Sequence, residues 1–441
     1  MTTIRFYNTL NRKEEDFQPL DANHVRLYAC GPTVYDRPHI GNARSAVVYD
    51  MLSRFLRHVY PKVTFVRNIT DVDDKINAAA KRNGETIAVL AERMIGYYHE
   101  DMAALGCARP DVEPRATQHI AEMIAMIETL IERGHAYAAE GHVLFAVASD
   151  ADYGCLSRRN RDEMIAGARV DVAPYKKDPA DFVLWKPASE EDDISSVFDS
   201  PWGKGRPGWH IECSAMSSKY LGDTFDIHGG GADLMFPHHE NEIAQSTCAN
   251  DGKFARYWVH NGFLTVSGEK MSKSLGNFFT VRDLLEKGHD GNAIRWAMLS
   301  THYRKPLDWN EKLLDDATKA VAKCQRKLAS YEGKAGELPQ AFMEALGDDL
   351  NVPKALSYLH SAEPAELKSM FQLLGFTEQS VVDQPVMVDG AADEKAKARI
   401  AAKKDKDFTR ADALRDEIRA LGYEVVDLPG GQYELKAIAN G

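Results

Sequence analysis

The chain has 441 residues, of which 27% are charged and 44% hydrophobic, and its formal net charge is -12 at pH 7. This length predicts two or three domains with a sizeable buried core, and the acidic balance excludes a generally basic surface for nucleic acids while allowing a local one. The sequence contains no apolar run of about 18 residues, the length that a membrane-spanning helix needs. Its first residues predict neither a signal peptide nor a transit peptide, so we expect a cytoplasmic protein without membrane contact.

The first half of the chain predicts a parallel α/β unit. Residues 25–30 and 62–69 are rich in β-branched and aromatic residues, which is typical of strands. Between them, residues 43–59 have apolar side chains at helical spacing. Strand, helix and strand in this order begin a doubly wound, Rossmann-like parallel sheet.

The later segments predict an interrupted sheet followed by helices. Residues 134–207 are irregular and read as an insertion, after which a strand at 225–228, a helix at 237–249 and a strand at 258–266 resume the α/β pattern. The chain beyond residue 312 is mainly helical, with a single charged helix at 394–421 and a terminal hairpin. We therefore predict an α/β domain in two parts, residues 1–133 and 208–311, which are separated by a connective insertion at 134–207. A helical bundle (312–390) and a small end segment (391–441) follow.

Two short motifs suggest nucleotide chemistry. Pro38-His39-Ile40-Gly41-Asn42 stands where the first predicted strand passes into its helix, and helix N-termini favour phosphate. His39 can donate to phosphate oxygens, and Gly41 lets the backbone approach a nucleotide closely. Taken alone, an ordinary strand–helix turn explains this motif as well.

The second motif is the loop at 270–274 (KMSKS), which has a glycine on either side. Its two lysines, Lys270 and Lys273, can neutralise charge on a transferring phosphoryl group. Together the two motifs resemble the HIGH and KMSKS signatures of class I aminoacyl-tRNA synthetases. The first signature usually ends in histidine, whereas Asn42 cannot carry a charge and so cannot act as a cationic clamp.

Six cysteines are widely spaced without a C-x-x-C pair, which predicts reduced thiols and leaves metal binding open for some of them. Cys30 ends the first predicted strand, and Cys213 lies at the end of the stretch 208–213 (GWHIEC). His238 and Glu242 are four residues apart on a predicted helix and so face one side. Two thiolates, an imidazole and a carboxylate suit zinc, although a lone cysteine is more often a buried apolar residue.

Five longer stretches resemble cysteinyl-tRNA synthetases closely: residues 28–36, 67–76, 208–217, 225–248 and 270–279. The resemblance runs almost continuously through the first two thirds of the chain. It implies that Cys30, Cys213, His238 and Glu242 bind one zinc ion per subunit, which selects cysteine through its thiolate. A soft metal ligand separates cysteine from serine better than an apolar pocket does.

The resemblance also implies an ATP site and a reaction. L-cysteine and ATP, as its Mg²⁺ complex, would form an adenylate whose cysteinyl group passes to tRNA(Cys). The expected catalytic residues are His39, Lys270 and Lys273, and Trp209 is expected to wall the cysteine pocket. The expected ATP-binding residues are His39, Gly41, Asn42, Gly229, Gly231, Asp233 and Lys273.

The C-terminal helices and end segment of this family read the tRNA anticodon, and we expect the same here from a monomer. The enzymatic alternative is a paralogous cysteine ligase that acts on an amino-sugar in thiol biosynthesis. An intact KMSKS motif and a long helical tail argue against that alternative.

Overall fold

The structure is a computed structural model that describes residues 3–159, 163, 173–190, 192–252, 254–271, 276–377, 390–404, 407–421, 423–428 and 432–437. The chain divides into two compact units, Met1–Glu378 and Gln379–Gly441. The strands are β1 (Arg5–Asn8), β2 (Lys13–Asp16), β3 (Val25–Ala29), β4 (Val63–Arg67), β5 (Ala136–Ala139), β6 (His142–Phe145), β7 (Phe182–Pro187), β8 (Gly205–Pro207), β9 (Phe225–Gly231), β10 (Ala255–Asn261), β11 (Leu264–Val266), β12 (Glu269–Lys270), β13 (Leu307–Trp309), β14 (Tyr423–Leu428) and β15 (Gln432–Ala437).

The helices are α1 (Ile40–Val59), α2 (Asp74–Asn83), α3 (Ile87–Ala104), α4 (Ile120–Glu132), α5 (Trp209–Leu221), α6 (Glu240–Ala249), α7 (Val281–Glu286), α8 (Gly291–Leu299), α9 (Glu311–Ala329), α10 (Gln340–Gly347), α11 (Val352–Leu359), α12 (Pro364–Leu373), α13 (Gly390–Lys404) and α14 (Phe408–Ala420). Within the described ranges, no helix is both long and apolar enough to span a bilayer.

A four-stranded sheet with the order β10-β9-β3-β4 forms the centre of the first unit, and all its strand pairs are parallel. Helix α1 connects β3 to β4, and the chain later returns on the other side of β3 as β9. The order of the strands therefore reverses between β3 and β9. In open parallel sheets, ligands bind at the carboxyl ends of the strands next to such a reversal.

Helix α1 is held at both ends and packs on the sheet. Its side chains Val47, Met51 and Phe55 are fully buried in the main core. His39 caps its start, and the helix ends at Val59, just before Pro61, which cannot extend it. The doubly wound α/β class predicted from the sequence is confirmed.

The residues between α4 and α5 form a separate antiparallel sheet with the order β5-β6-β7-β8. Its core contains Phe145 and Trp185, both fully buried. This sheet lies within the stretch predicted as an insertion. The five-part division of the chain itself stays a prediction.

Two element predictions are wrong. The strand predicted at 258–266 is two strands, because β10 pairs with β9 in the central sheet, whereas β11 pairs with β12 and β13 in another sheet. The charged helix predicted at 394–421 is two helices, α13 and α14, and Asp407 caps the second by accepting from the backbone N–H of Arg410. In the second unit these helices are followed by the antiparallel hairpin β14–β15.

Candidate active site and metal centre

The predicted metal ligands lie on the segments that follow β3, β8 and β9. Cys30 directly follows β3, Cys213 lies on α5, and Glu242 lies in the first turn of α6. His238 belongs to a π-helical turn, Met235–His239, that leads into α6 rather than to the helix itself. The predicted i, i+4 contact is nevertheless made, with His238 Nε2 3.1 Å from Glu242 Oε1.

These four side chains place one donor atom each within 4.8 Å of every other, and we call them the donor cluster: Cys30, Cys213, His238 and Glu242. The two sulfur atoms are 3.7 Å apart, and Cys30 Sγ lies 3.4 Å from Glu242 Oε1. Cys213, His238 and Glu242 are buried, whereas Cys30 is partly exposed.

Burial shifts the pKa of three members of the cluster, Cys30, Cys213 and His238. Desolvation raises the pKa of the Cys30 thiol well above its ordinary value, and the neighbouring Cys213 adds to that rise. Desolvation likewise raises the pKa of Cys213. It lowers the pKa of His238 far below its ordinary value, so the imidazole is neutral and can act as a ligand.

A second set of donors overlaps the first and contains two histidines that the sequence reading did not single out. Cys30, His228, His239 and Glu242 also lie within 4.8 Å of one another. His228 Nε2 lies 2.8 Å from Glu242 Oε2, which is the carboxylate oxygen turned away from Cys30. His239 Nε2 lies 3.3 Å from Cys30 Sγ. These histidines therefore orient the carboxylate and one sulfur of the donor cluster.

A chain of neutral imidazoles continues behind the cluster. His239 Nδ1 lies 2.7 Å from His260 Nε2, and His260 Nδ1 lies 2.9 Å from the Thr9 hydroxyl. Desolvation lowers the pKa of His260 to about 3, and burial also lowers that of His239. Each neutral ring has one N–H that donates and one nitrogen that accepts. When the Thr9 hydroxyl donates to His260 Nδ1, His260 donates from Nε2 to His239 Nδ1. The N–H of His239 is then on Nε2 and points at the Cys30 sulfur.

The other predicted ligand, His238, is held from two sides. Its Nδ1 lies 2.9 Å from His210 Nδ1, and the Trp209 ring stacks on it with centroids 4.0 Å apart. Trp209, the first residue of α5, is 38% exposed, so one face of its ring covers His238 and part of it meets solvent. That Trp209 walls a pocket for cysteine stays a prediction.

His39 and Asn42 form a reciprocal cap at the start of α1. His39 Nδ1 accepts from the backbone N–H of Asn42 at 3.2 Å, and Asn42 Oδ1 accepts from the backbone N–H of His39 at 3.3 Å. A neutral ring whose Nδ1 accepts carries its proton on Nε2. Asn42 thus acts on the backbone of the motif, a role for which a charge is not needed.

The segment after the KMSKS loop pairs with the first motif. Ile40 N–H donates to Phe279 O at 3.1 Å, and Val281 N–H donates to Pro38 O at 3.3 Å. His39 and Thr280 are opposite each other in this antiparallel bridge, which we call the signature clasp. The start of the loop is also near, since a Cβ on Gly41 would lie 3.2 Å from Met271 Cε.

The two predicted catalytic lysines differ in what the structure describes. The backbone of Lys270 belongs to β12 and pairs with Thr265 of β11. Lys273 lies outside the described residues. The adjacency of the two motifs therefore rests on the segments that flank this lysine.

The strand predicted at 225–228 extends through the glycine run as β9. Gly229, Gly230 and Gly231 pair in register with residues 259–261 of β10. A Cβ at Gly229 would lie 2.2 Å from the Tyr49 ring, whose hydroxyl accepts from the N–H of Gly230 at 2.5 Å. Close packing against Tyr49 therefore explains why a glycine stands at 229, as the predicted nucleotide contact also does. Asp233 follows in a short 3₁₀ turn and is exposed.

Comparison with known proteins agrees with this architecture. Residues 16–319 match the family model described as the tRNA synthetases class I (C) catalytic domain. A cysteine–tRNA ligase of Rhodospirillum rubrum is 55% identical over 465 aligned positions, covering 99% of this chain and 100% of that protein. The chain belongs to the cysteine–tRNA ligase family. A second member, from Paramagnetospirillum magneticum, is also 55% identical and covers 96% of this chain and 98% of its own length.

Solved structures of other class I enzymes share the fold with this family member at low sequence identity. A Mycobacterium tuberculosis methionyl-tRNA synthetase bound to methionyl-adenylate gives a TM-score of 0.55 at 15% identity and covers 86% of this chain and 84% of its own. An Agrobacterium radiobacter LeuRS in a complex with tRNA gives 0.55 at 12% identity and covers 81% and 84%. These likenesses concern the fold alone.

Proposed function

We propose that this chain is a cysteine–tRNA ligase that activates L-cysteine with ATP and transfers the cysteinyl group to tRNA(Cys). The observation that carries the proposal is the 55% identity with cysteine–tRNA ligases over nearly the whole chain. The donor cluster at the sheet reversal supports the choice of amino acid, because two sulfur donors suit a thiol-selecting metal site. The amino-sugar alternative is not favoured, since the ligase relatives cover the C-terminal half as well.

The donor cluster fits zinc in spacing and in chemistry. Tetrahedral zinc with bonds of about 2.3 Å to sulfur and about 2.1 Å to oxygen places its ligand atoms about 3.8 Å (S to S) and about 3.6 Å (S to O) apart. The corresponding separations in the cluster are 3.7 Å and 3.4 Å. Cys30, Cys213, His238 and Glu242 would hold one ion per chain, and this ion would supply a soft Lewis acid that prefers the thiolate of cysteine to the hydroxyl of serine.

The protein groups around the cluster would orient the substrate. Trp209, stacked on His238, would cover one side of a small side chain entering beside Cys30. His228 and His239 would keep Glu242 and Cys30 in place, which limits the size of the pocket. Rigid ligands of this kind give the selectivity that an apolar pocket lacks between near-isosteres.

The signature clasp would hold the triphosphate. The ionised carboxylate of cysteine would attack the α-phosphorus of Mg²⁺-bound ATP in line, and pyrophosphate would leave, so a general base is not required. His39 would donate from Nε2 to phosphate oxygens at the start of α1, where the helix N-terminus also favours negative charge. Lys273, with Lys270 as a weaker candidate, would neutralise the charge that develops on the same oxygens.

The adenosine half would lie along β9. Gly41 and Gly231 would let the backbone approach the nucleotide, and the exposed Asp233 would accept from a ribose hydroxyl. Asn42 would contribute by fixing the backbone of His39. We place this ligase in the cytoplasm as a monomer, with the C-terminal helices and end segment on the anticodon side of the tRNA.

The decisive experiment is cysteine-dependent exchange of pyrophosphate into ATP, followed by charging of purified tRNA(Cys). We expect exchange with cysteine, no exchange with serine, and about one zinc ion per chain by elemental analysis. Absence of exchange with cysteine contradicts the proposed function. Exchange with cysteine together with transfer to an amino-sugar instead of tRNA supports the alternative acceptor.

A further inference from the structure

A buried carboxylate lies between the two arginines that flank the signature clasp. Arg37 directly precedes Pro38 in the first segment of the clasp, and Arg282, on α7, directly follows Val281 in the second. Asp101, near the end of α3, has no exposed surface. Its Oδ2 lies 3.5 Å from Arg37 NH1, and its Oδ1 lies 3.0 Å from Arg282 NH2.

Both arginines are also held in place by neighbours on α3. The guanidinium of Arg37 lies over the Tyr97 ring, with the Cζ atom 3.7 Å from its centroid. Arg282 NH2 makes a second contact of 3.3 Å with Glu100, whose side chain is 62% exposed. One face of α3 thus contacts the two residues just outside one end of the clasp, where Val281 N–H donates to Pro38 O.

The group formed by Asp101, Arg37 and Arg282 differs from an ordinary surface ion pair. Two guanidinium groups near one carboxylate repel each other, and among the described residues Asp101 is the buried carboxylate that faces both of them. The exposed Glu100 is screened by solvent and compensates little. The charge at Asp101 therefore determines how closely the two flanking segments approach.

We propose that Asp101 is a positioning residue for ATP: by binding Arg37 and Arg282 it fixes the signature clasp, and with it the ring of His39. This proposal rests on the proposed function, because His39 matters only if its ring meets the phosphates of ATP. The donor cluster is built on α5, α6 and the end of β3, so the cysteine site is held by other contacts. Loss of Asp101 therefore affects ATP use and spares cysteine binding.

The test compares Asp101→Asn with the wild-type chain in pyrophosphate exchange, with ATP and cysteine varied separately. We expect kcat/KM for ATP to fall about 10–100-fold, as small misplacements of catalytic groups do, while the KM for cysteine stays within about twofold. The matched control is Asp50→Asn, which removes another buried carboxylate, paired with Arg54 and Arg295. This control is expected to lower thermal stability without an ATP-selective effect.

A second variant protects the test against misfolding. Arg282 is 28% exposed, and Arg282→Met removes one partner from the partly exposed side. We expect the same ATP-selective fall, and in the double variant with Asp101→Asn no further loss than in the worse single variant. Equal losses for ATP and cysteine, an ATP effect in Asp50→Asn of the same size, or additive losses in the double variant overturn the proposal. Absence of exchange in the wild-type chain contradicts the proposed function instead. The failure of the proposed function is therefore distinguishable from the failure of the Asp101 proposal.

Discussion

The donor cluster and the signature clasp both begin at the end of β3, yet different forces build them. The cluster consists of side chains from three segments that are far apart in the sequence, and neighbouring histidines and the Trp209 ring contact Cys30, His238 and Glu242. The clasp consists of backbone hydrogen bonds between two segments, and its functional side chains His39 and Asn42 are partly exposed. Selection of a small amino acid requires rigid atoms, whereas a nucleotide site must remain accessible to a large charged ligand.

The largest effect is expected from loss of a ligand in the cluster. Cys213→Ser should abolish zinc binding and lower kcat/KM for cysteine more than about 1,000-fold, since even outer-shell residues cost about 10–100-fold. Cys324→Ser is the control, because Cys324 is equally buried but lies on α9. Elemental analysis and pyrophosphate exchange measure both quantities. A Cys213→Ser protein that keeps its zinc and its activity contradicts the assignment of the cluster.

Loss of a positive charge from the KMSKS motif should slow the formation of the adenylate and leave the donor cluster intact. Lys273→Ala removes the ammonium group expected near the developing phosphate charge, and kcat for exchange should fall about 100–1,000-fold. Zinc content should not change. Lys312→Ala, which removes an exposed lysine on α9, serves as the comparison. Normal exchange in Lys273→Ala refutes the role given to the KMSKS motif.

A smaller effect on zinc binding is expected from loss of His210, which contacts a member of the donor cluster. His210→Ala removes the ring whose Nδ1 lies 2.9 Å from Nδ1 of His238, so the ligand loses its orientation. Zinc affinity should fall about 10–100-fold in competition with a chelator. His142→Ala, in the insertion sheet, should leave this affinity unchanged. An unchanged affinity in His210→Ala means that His238 is held by Trp209 stacking and Glu242 alone.

The smallest effect is expected at Asn42. Asn42→Ala removes the side-chain half of the reciprocal cap and should cost about 1 kcal/mol in the free energy of unfolding, with a few-fold loss in kcat/KM for ATP. Asn42→Asp keeps the accepting oxygen and should keep the stability, but its charge should repel the triphosphate. Chemical denaturation and exchange kinetics separate the two variants. If Asn42→Asp binds ATP as well as the wild type, Asn42 does not face the phosphates.

Much of this site was predictable because each signature is local. The motif at 38–42 and its helix follow from strand, turn and helix patterns within one short stretch, and the α/β class follows from their order. The i, i+4 relation of His238 and Glu242 was also readable, although the residues between them begin in a π-helical turn. His228, His239 and His260 were not found, because nothing in their spacing relates them to Cys30.

By itself, the sequence determined the family, the parallel α/β class and the residue types available for zinc and phosphate. Only the tertiary structure showed that the four donor atoms lie within 4.8 Å of one another, and that a second set with His228 and His239 shares Cys30 and Glu242 with them. It alone brought Arg37, Asp101 and Arg282 together, since they are far apart along the chain. The physical reason is that local patterns depend on backbone propensity and burial, whereas a site depends on the packing of distant elements around one sheet edge.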